Sequence, residues 1–262
     1  MSPSADPRAA SSVPSVPSVP SESRVSGRIT TWNIQGSRGT NLDFICAHIT
    51  EQRSDIFVVQ EATARQAKRL ARRLGMQHVW ARKHTAFPFF SEGLAVLTTN
   101  RIVTSTVNVV TAAPLWSWRR RVILRTHIEW PNGARLDLVN VHLSPHDAAE
   151  RRAIELTHVA SLGVDVVVGD FNAEIDAVGQ TLHPLTDTAP GGTPTCWTAG
   201  SREGRGPTQR LDGILVAPTL RASNPHTPRE DLDRWARVSD HLPVTVTVEW
   251  NSPSANGSTS IR

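Results

Sequence analysis

The chain has no tyrosine, only two cysteines and nowhere about 18 consecutive apolar residues, and each shortage excludes something. Cys46 and Cys196 stand far apart and in no metal-ligand spacing, which argues against a disulfide framework or a zinc knuckle and makes both small buried apolar residues. Without a long apolar run there is no membrane-spanning helix, and the first residues hold no apolar segment of the kind a secretion signal needs. A soluble, cytoplasmic, monomeric protein is the expectation. Lysine is scarce too, since 26 of the 28 basic residues are arginine. Arginine's planar fork suits bidentate contact with phosphate, but codon usage in a GC-rich genome gives the same bias, and a net charge of +4 does not choose between the two.

What is there begins with a Ser/Pro-rich arm. Residues 1–26 carry three Ser-Val-Pro repeats at 12–20, a composition that assembles no core. Residues 251–262 (NSPSANGSTSIR) are expected to form a flexible tail. Between them, 27–250 fits one domain of a two-sheet architecture. Short β-branched runs at 28–33, 55–61, 93–99, 103–110, 121–130, 134–143, 164–172, 209–217 and 244–250 predict about nine strands. Helical spacing occurs at 40–52, 64–74 and 148–162, and PNG at 131–133 predicts a hairpin turn. Interspersed strands and fewer helices imply two stacked sheets with helices outside.

Six of these runs end in a polar residue. Asn33 follows TTW, Glu61 follows FVVQ, His142 follows LVNV, Asp170 and Asn172 follow VVVG, Asp212 sits in QRLDGILV, and Asp240 and His241 precede LPVTVTV. One carboxylate after a strand is commonly a turn or cap residue. Six converging on one sheet edge would repel or desolvate one another without a task. Scattered single acids suit a hard cation such as Mg²⁺, which takes one or two carboxylates and keeps water and phosphate oxygens, with Mn²⁺ as a substitute.

The ordered segments TWNIQG, VVQEA, VNVHLSP, VVVGDFNAE, QRLDGILV and VSDHLPV, spread over residues 31–244, resemble the motif series of the endonuclease/exonuclease/phosphatase superfamily, the group of deoxyribonuclease I-like enzymes. The resemblance implies an α+β fold, a four-layer αββα sandwich of two mostly antiparallel sheets flanked by helices. It implies a divalent-metal-dependent phosphoesterase that cuts phosphodiester bonds by in-line attack of water. Asp170 would deprotonate the water, and Asn172, two residues on, would bind phosphate or that water. Glu61 would anchor the metal, with Asn33 and Asp240 beside it. His241 would donate to a phosphate oxygen with Asp212 behind it, and His142 would stand near the leaving group.

Within that group a nucleic-acid substrate is preferred. The WSWRRR segment (116–121) sets two tryptophans against three arginines, with Arg119 as the substrate-binding candidate, although a plain solvated patch is the other reading. A lipid or sugar-phosphate headgroup is the alternative substrate, and a catalytically silent binding module is the alternative from another class. Glu92 is either a partner of His142 or a solvent-facing residue before a strand. Trp197 is either core or pocket wall. Gln35 stands where abasic-site enzymes carry an acid, which favours one metal over two, and the missing tyrosine after His142 argues against abasic-site repair.

Overall fold

The computed structural model describes residues 24–251 except 87–89, 112, 114–116, 118–119 and 198–203. Twelve strands and five helices lie among the described residues. In order they are β1 (Arg24–Asn33), α1 (Leu42–Glu51), β2 (Ile56–Thr63), α2 (Ala64–Leu74), β3 (Gln77–Ala86), β4 (Phe90–Thr98), β5 (Arg101–Thr111), β6 (Arg121–Glu129) and β7 (Arg135–His142). Then follow α3 (Ala149–Ala160), β8 (Val166–Asp170), α4 (Ile175–Thr181), β9 (Thr186–Asp187), β10 (Asp212–Val216), β11 (Arg221–His226), α5 (Leu232–Ala236) and β12 (Val244–Asn251).

The strands form two six-stranded sheets, ordered β11-β12-β1-β2-β4-β3 and β5-β6-β7-β8-β10-β9. Only β1 with β2 and β7 with β8 run parallel, so both sheets are mixed and mostly antiparallel. Both parallel connections carry a helix, α1 in one sheet and α3 in the other. The sheets face each other across Ile29, Val58, Val96, Leu124, Leu138, Val168, Ile214 and Val246, while Trp32, Phe57 and Val59 on the outer face of the first sheet meet Ile45 and Ile49 of α1 and Leu70 of α2. On the outer face of the second, Val139, Val141 and Val167 meet Leu156 of α3 and Val178 of α4. Four layers result, and each such side chain taken from water stabilises by about 1.5–3 kcal/mol.

Local chemistry sets the helix ends. Asn41 accepts from the backbone of Asp43 and Phe44 at the start of α1, and Thr63 with Gln66 forms a capping box on α2. The arginines of α2 lie on its exposed face opposite Ala67, Leu70 and Ala71, the solvated reading of that basic run. The hairpin at 131–133 forms as expected, with Gly133 at φ 82° and its N–H bonded to Trp130 O.

Strand β3 was not among the nine expected runs because it is an edge strand, and edges tolerate the Arg, Lys and His that break an apolar pattern. The stretch 221–237, expected as loop, holds β11 and α5, both too short for periodicity to show. β1 begins at Arg24, three residues inside the expected arm, and Cys46 is half-buried rather than buried. Among the described residues no helix is long and apolar enough to cross a membrane.

Candidate active site

The parallel register of β7 with β8 sets His142 beside Asp170, and the antiparallel register of β10 with β8 sets Asp212 on the other side of it. All three side chains share the inner face with Val168 and Ile214, so period 2 delivers them to the gap between the sheets. His241, just before β12, closes the group: its Nδ1 donates to Asp212 Oδ2 at 2.7 Å, and Thr195 Oγ1 donates to the same oxygen at 2.6 Å. Its Nε2 lies 3.8 Å from Asp170 Oδ2. Burial works against a charge on His241, but Asp212 and Asp170 outweigh it and raise its pKa well above the ordinary histidine value. The imidazolium is therefore the resting form at neutral pH.

Asp170 is 1% exposed. Asn33 Nδ2 donates to its Oδ2 at 3.0 Å and the Asn172 backbone N–H to its Oδ1 at 2.9 Å. Burial raises its pKa, with the His241 charge opposing. Asn172 reaches the site by a different route from the period-2 alternation expected of it. The strand ends at Asp170, and the chain turns through a left-handed Asn172 (φ 50°) whose amide donates to Leu143 O at 2.9 Å. Asparagine tolerates that conformation, and the carboxylate of Asp170 closes the turn onto its backbone.

Glu61 is delivered by a bulge. Pairing of β2 with β4 jumps from Val59↔Ala95 to Ala62↔Gly93, so Gln60 and Glu61 oppose Leu94 alone, and Glu61 adopts φ 57°. A left-handed glutamate in a strand is strained, which marks it as a residue aimed for use. Burial raises its pKa, Lys83 counteracts this, and Glu92 and Asp240 add to it. Asp240 Oδ2 accepts from Gln35 Nε2 at 2.6 Å, and Asn33 Oδ1 accepts from the Gln35 backbone at 3.1 Å. Gln35, itself left-handed at φ 48°, thus ties together two of the residues expected near the metal.

Lys83 belongs to this group and escaped the sequence reading. It is 3% exposed, lies 3.0 Å from His142 Nδ1, and is one of only two lysines among 28 basic residues, which was the available signal. Also missed was the polar layer beneath the site, where Gln60 Nε2 donates to Thr31 Oγ1 at 3.1 Å and Asn140 Oδ1 at 2.9 Å. Asn140 Nδ2 in turn donates to the carbonyls of Val59 and Ala95, which bonds one sheet to the other. These residues sit in apolar strand runs, where only three-dimensional pairing shows that their bonds are met.

The fold therefore brings together Asn33, Glu61, His142, Asp170, Asn172, Asp212, Asp240 and His241. Glu92 is 8% exposed and acts electrostatically on Glu61 and Lys83, so it is not solvent-facing. Trp197 is 5% exposed and donates to Arg205 O, the core reading. Arg119 and both tryptophans of WSWRRR lie outside the described residues. Arg121, the last residue of that segment, is buried and acted on by Asp170 and Glu61.

Residues 30–241 match the family model described as Endonuclease/Exonuclease/phosphatase family. The chain belongs to that family, and its class is a phosphoesterase of the endonuclease/exonuclease/phosphatase superfamily. No curated protein sequence matches it. Among solved structures it is similar to an endonuclease/exonuclease/phosphatase family protein from Leptotrichia buccalis, at TM-score 0.70 and 18% identity over 85% of this chain and 99% of that one. It is also similar to a mannosyl-6-phosphatase of Bacteroides thetaiotaomicron (TM-score 0.62, 17% identity, 84% and 98% covered). A third is the human Nocturnin catalytic domain with bound sulfate (TM-score 0.64, 19% identity, 86% and 96% covered). At such identities the likeness shows the fold, and the substrate is argued from the site.

Proposed function

We propose that the protein is a divalent-metal-dependent nuclease that hydrolyses phosphodiester bonds by in-line attack of water. The observation that carries this reading is the bonded chain Thr195, Asp212, His241 beside a buried, doubly hydrogen-bonded Asp170. It sets a fixed imidazolium and a carboxylate of raised pKa around one small space. Asp170 takes the proton of the attacking water, and its raised pKa suits a base working near neutrality. His241 donates Nε2–H to a phosphate oxygen as charge develops there, with Asp212 holding the proton on the correct nitrogen.

Glu61, Asp240 and Asn33 offer an all-oxygen donor set, and the crowding of Glu61 by two further acids is the electrostatic condition a hard cation relieves. Asp170, Asp212 and His241 also place ligand atoms within 4.8 Å of one another, but His241 Nδ1 is already committed to Asp212, so we assign the metal to the first set. When bound, Mg²⁺ or Mn²⁺ would polarise the phosphate and offset charge on the leaving oxygen.

The nucleic-acid reading is supported by a groove of about 670 Å³ lined by Trp80, Arg65, Arg82, Thr63 and Gly36, next in sequence to Glu61 and Lys83. An aromatic ring and two guanidinium groups along a groove suit stacking and backbone contact with a strand. The test is cleavage of plasmid and single-stranded oligonucleotide with Mg²⁺, Mn²⁺ or EDTA, beside Asp170→Asn. Metal-dependent cutting is expected, with turnover in the variant lower by about 10² to 10⁴-fold. No cleavage by a folded protein, or binding that ignores ionic strength, would replace nucleic acid by a lipid or sugar-phosphate headgroup.

A further inference from the structure

Lys83 is a buried ammonium that the mechanism above leaves without a task. Its position is built, not incidental. Pairing of β3 with β4 runs Arg82↔Gly93 and then His84↔Glu92, so Lys83 is an extra residue bulged out of the ladder. On the other side of β4, the bulge that delivers Glu61 ends at the same Gly93. Two bulges thus flank one glycine, and each turns a charged side chain into the same space. A Cβ at Gly93 would collide with the carbonyl oxygen of Ala81, so the close approach that permits the β3 bulge depends on the missing side chain.

We propose that Lys83 is a positioning residue for His142: its ammonium donates to Nδ1 and holds the imidazole as the neutral tautomer with its proton on Nε2, aimed at the gap between Asp170 and Glu61. An ammonium has three donors and no acceptor, so the ring nitrogen facing it must present a lone pair. Nδ1 is the nearer nitrogen, at 3.0 Å against 3.3 Å for Nε2. The atoms beside Nε2 are acceptors, Asp170 Oδ2 at 3.6 Å and Glu61 Oε1 at 3.9 Å. Donor on one side and acceptors on the other select a single tautomer. A doubly protonated ring would set N–H against N–H between two cations in a buried space, which burial makes more unfavourable still.

The two histidines of the site are thereby made different by what stands behind them. A carboxylate behind His241 keeps it charged, and an ammonium behind His142 keeps it neutral. His142 then acts as a neutral hydrogen-bond donor toward the phosphate or leaving oxygen, while the fixed positive charge on that side belongs to Lys83. Only this last consequence rests on the phosphoesterase reading.

The tautomer is read from ¹H–¹⁵N correlations of the histidine ring nitrogens in full-length protein with Mg²⁺ present, His142 being identified by the signals lost in His142→Asn. A bare Nδ1 and a protonated Nε2 are expected. Lys83→Met should release the ring to a mixture of tautomers or a second proton and lower kcat by about 10- to 100-fold while KM moves by less than about threefold. Lys83→Arg, whose guanidinium also only donates, should keep the wild-type ring pattern. A proton on Nδ1 in the wild type overturns the proposal, as do unchanged His142 signals in a folded Lys83→Met. Should Lys83→Met not fold, a protonated Nδ1 in Lys83→Arg overturns it. The expected ring pattern in a protein that hydrolyses no phosphoester would sink the nuclease reading and uphold the positioning role.

Discussion

Replacing Asp212 by Asn changes one oxygen to NH₂ in a fully buried position, and the structure constrains where that group goes. Asp212 Oδ2 accepts from Thr195 Oγ1 at 2.6 Å and from His241 Nδ1 at 2.7 Å, whereas the buried Oδ1 has no hydrogen-bond partner. An amide with its oxygen at the Oδ2 position keeps both bonds but buries an NH₂ with no acceptor, which costs about 1–3 kcal/mol. The flipped amide faces two donors and drives the His241 proton to the wrong nitrogen. The first arrangement is the milder one, and it still exchanges a charge-assisted bond for a neutral one. That difference is about 1–1.5 kcal/mol, or roughly one pKa unit on His241.

Because the folded pKa of His241 is raised, its charge contributes stability that is complete below the unfolded value of about 6.5 and is lost as pH rises through the folded value. The variant should begin this alkaline loss roughly one pH unit earlier. Turnover should fall by about 10² to 10³-fold as transition-state stabilisation by the imidazolium weakens. The assay is a pair of pH–rate profiles from pH 5 to 10, with melting curves at each pH to establish folding. Superimposable alkaline limbs and turnover within threefold of wild type would refute the assignment of Asp212 as the group that charges His241.

Three further outcomes follow from other parts of the molecule. Glu61→Gln should raise the Mg²⁺ concentration needed for half-maximal rate and reduce the Mg²⁺-induced rise in melting temperature; unchanged metal dependence would move the anchor elsewhere. Gly93→Ala should destabilise by more than about 2 kcal/mol in urea unfolding and abolish turnover, because the collision with Ala81 forces both flanking bulges to shift. His48, packed edge-on to Trp32 and Trp235, has its pKa lowered to about 4 by burial and by the charges of His226 and Arg28. It must stay neutral in the fold, so stability should fall as pH drops from about 6.5 toward 4, by up to about 3 kcal/mol. A urea-melt series in His48→Leu should flatten that slope, and an unaltered slope would place the acid sensitivity in another group.

Most of the site was legible before the fold was known because its members sit at strand ends. Asp170, Asp212 and His142 interrupt β-branched runs, and an acid or imidazole there stands out against Val and Ile. Lys83 and Glu92 lie in or beside an edge strand whose residues are polar anyway, so nothing local separates them from a solvated edge. Gln60 and Asn140 were hidden for the opposite reason. Each occupies an inward position of a strongly apolar strand, and its tolerance there depends on a partner about 80 residues away, in a strand of the other sheet.

Alternation of apolar and polar residues, turn chemistry and the order of the strand-end motifs were enough to specify two sheets, outer helices and a phosphoester-cleaving site, because those signals are local and repeat at the period of the backbone. Which charges touch was settled only by tertiary register. One residue of slip in β3 or β2 turns Lys83 or Glu61 to the opposite face, and bulges are set by strand pairing across β4 rather than by either residue's own preference. The same holds for protonation. His142 and His241 follow similar β-rich stretches, yet one meets an ammonium and the other a carboxylate, and that contrast comes from strands folded against them, not from the residues beside them in the chain.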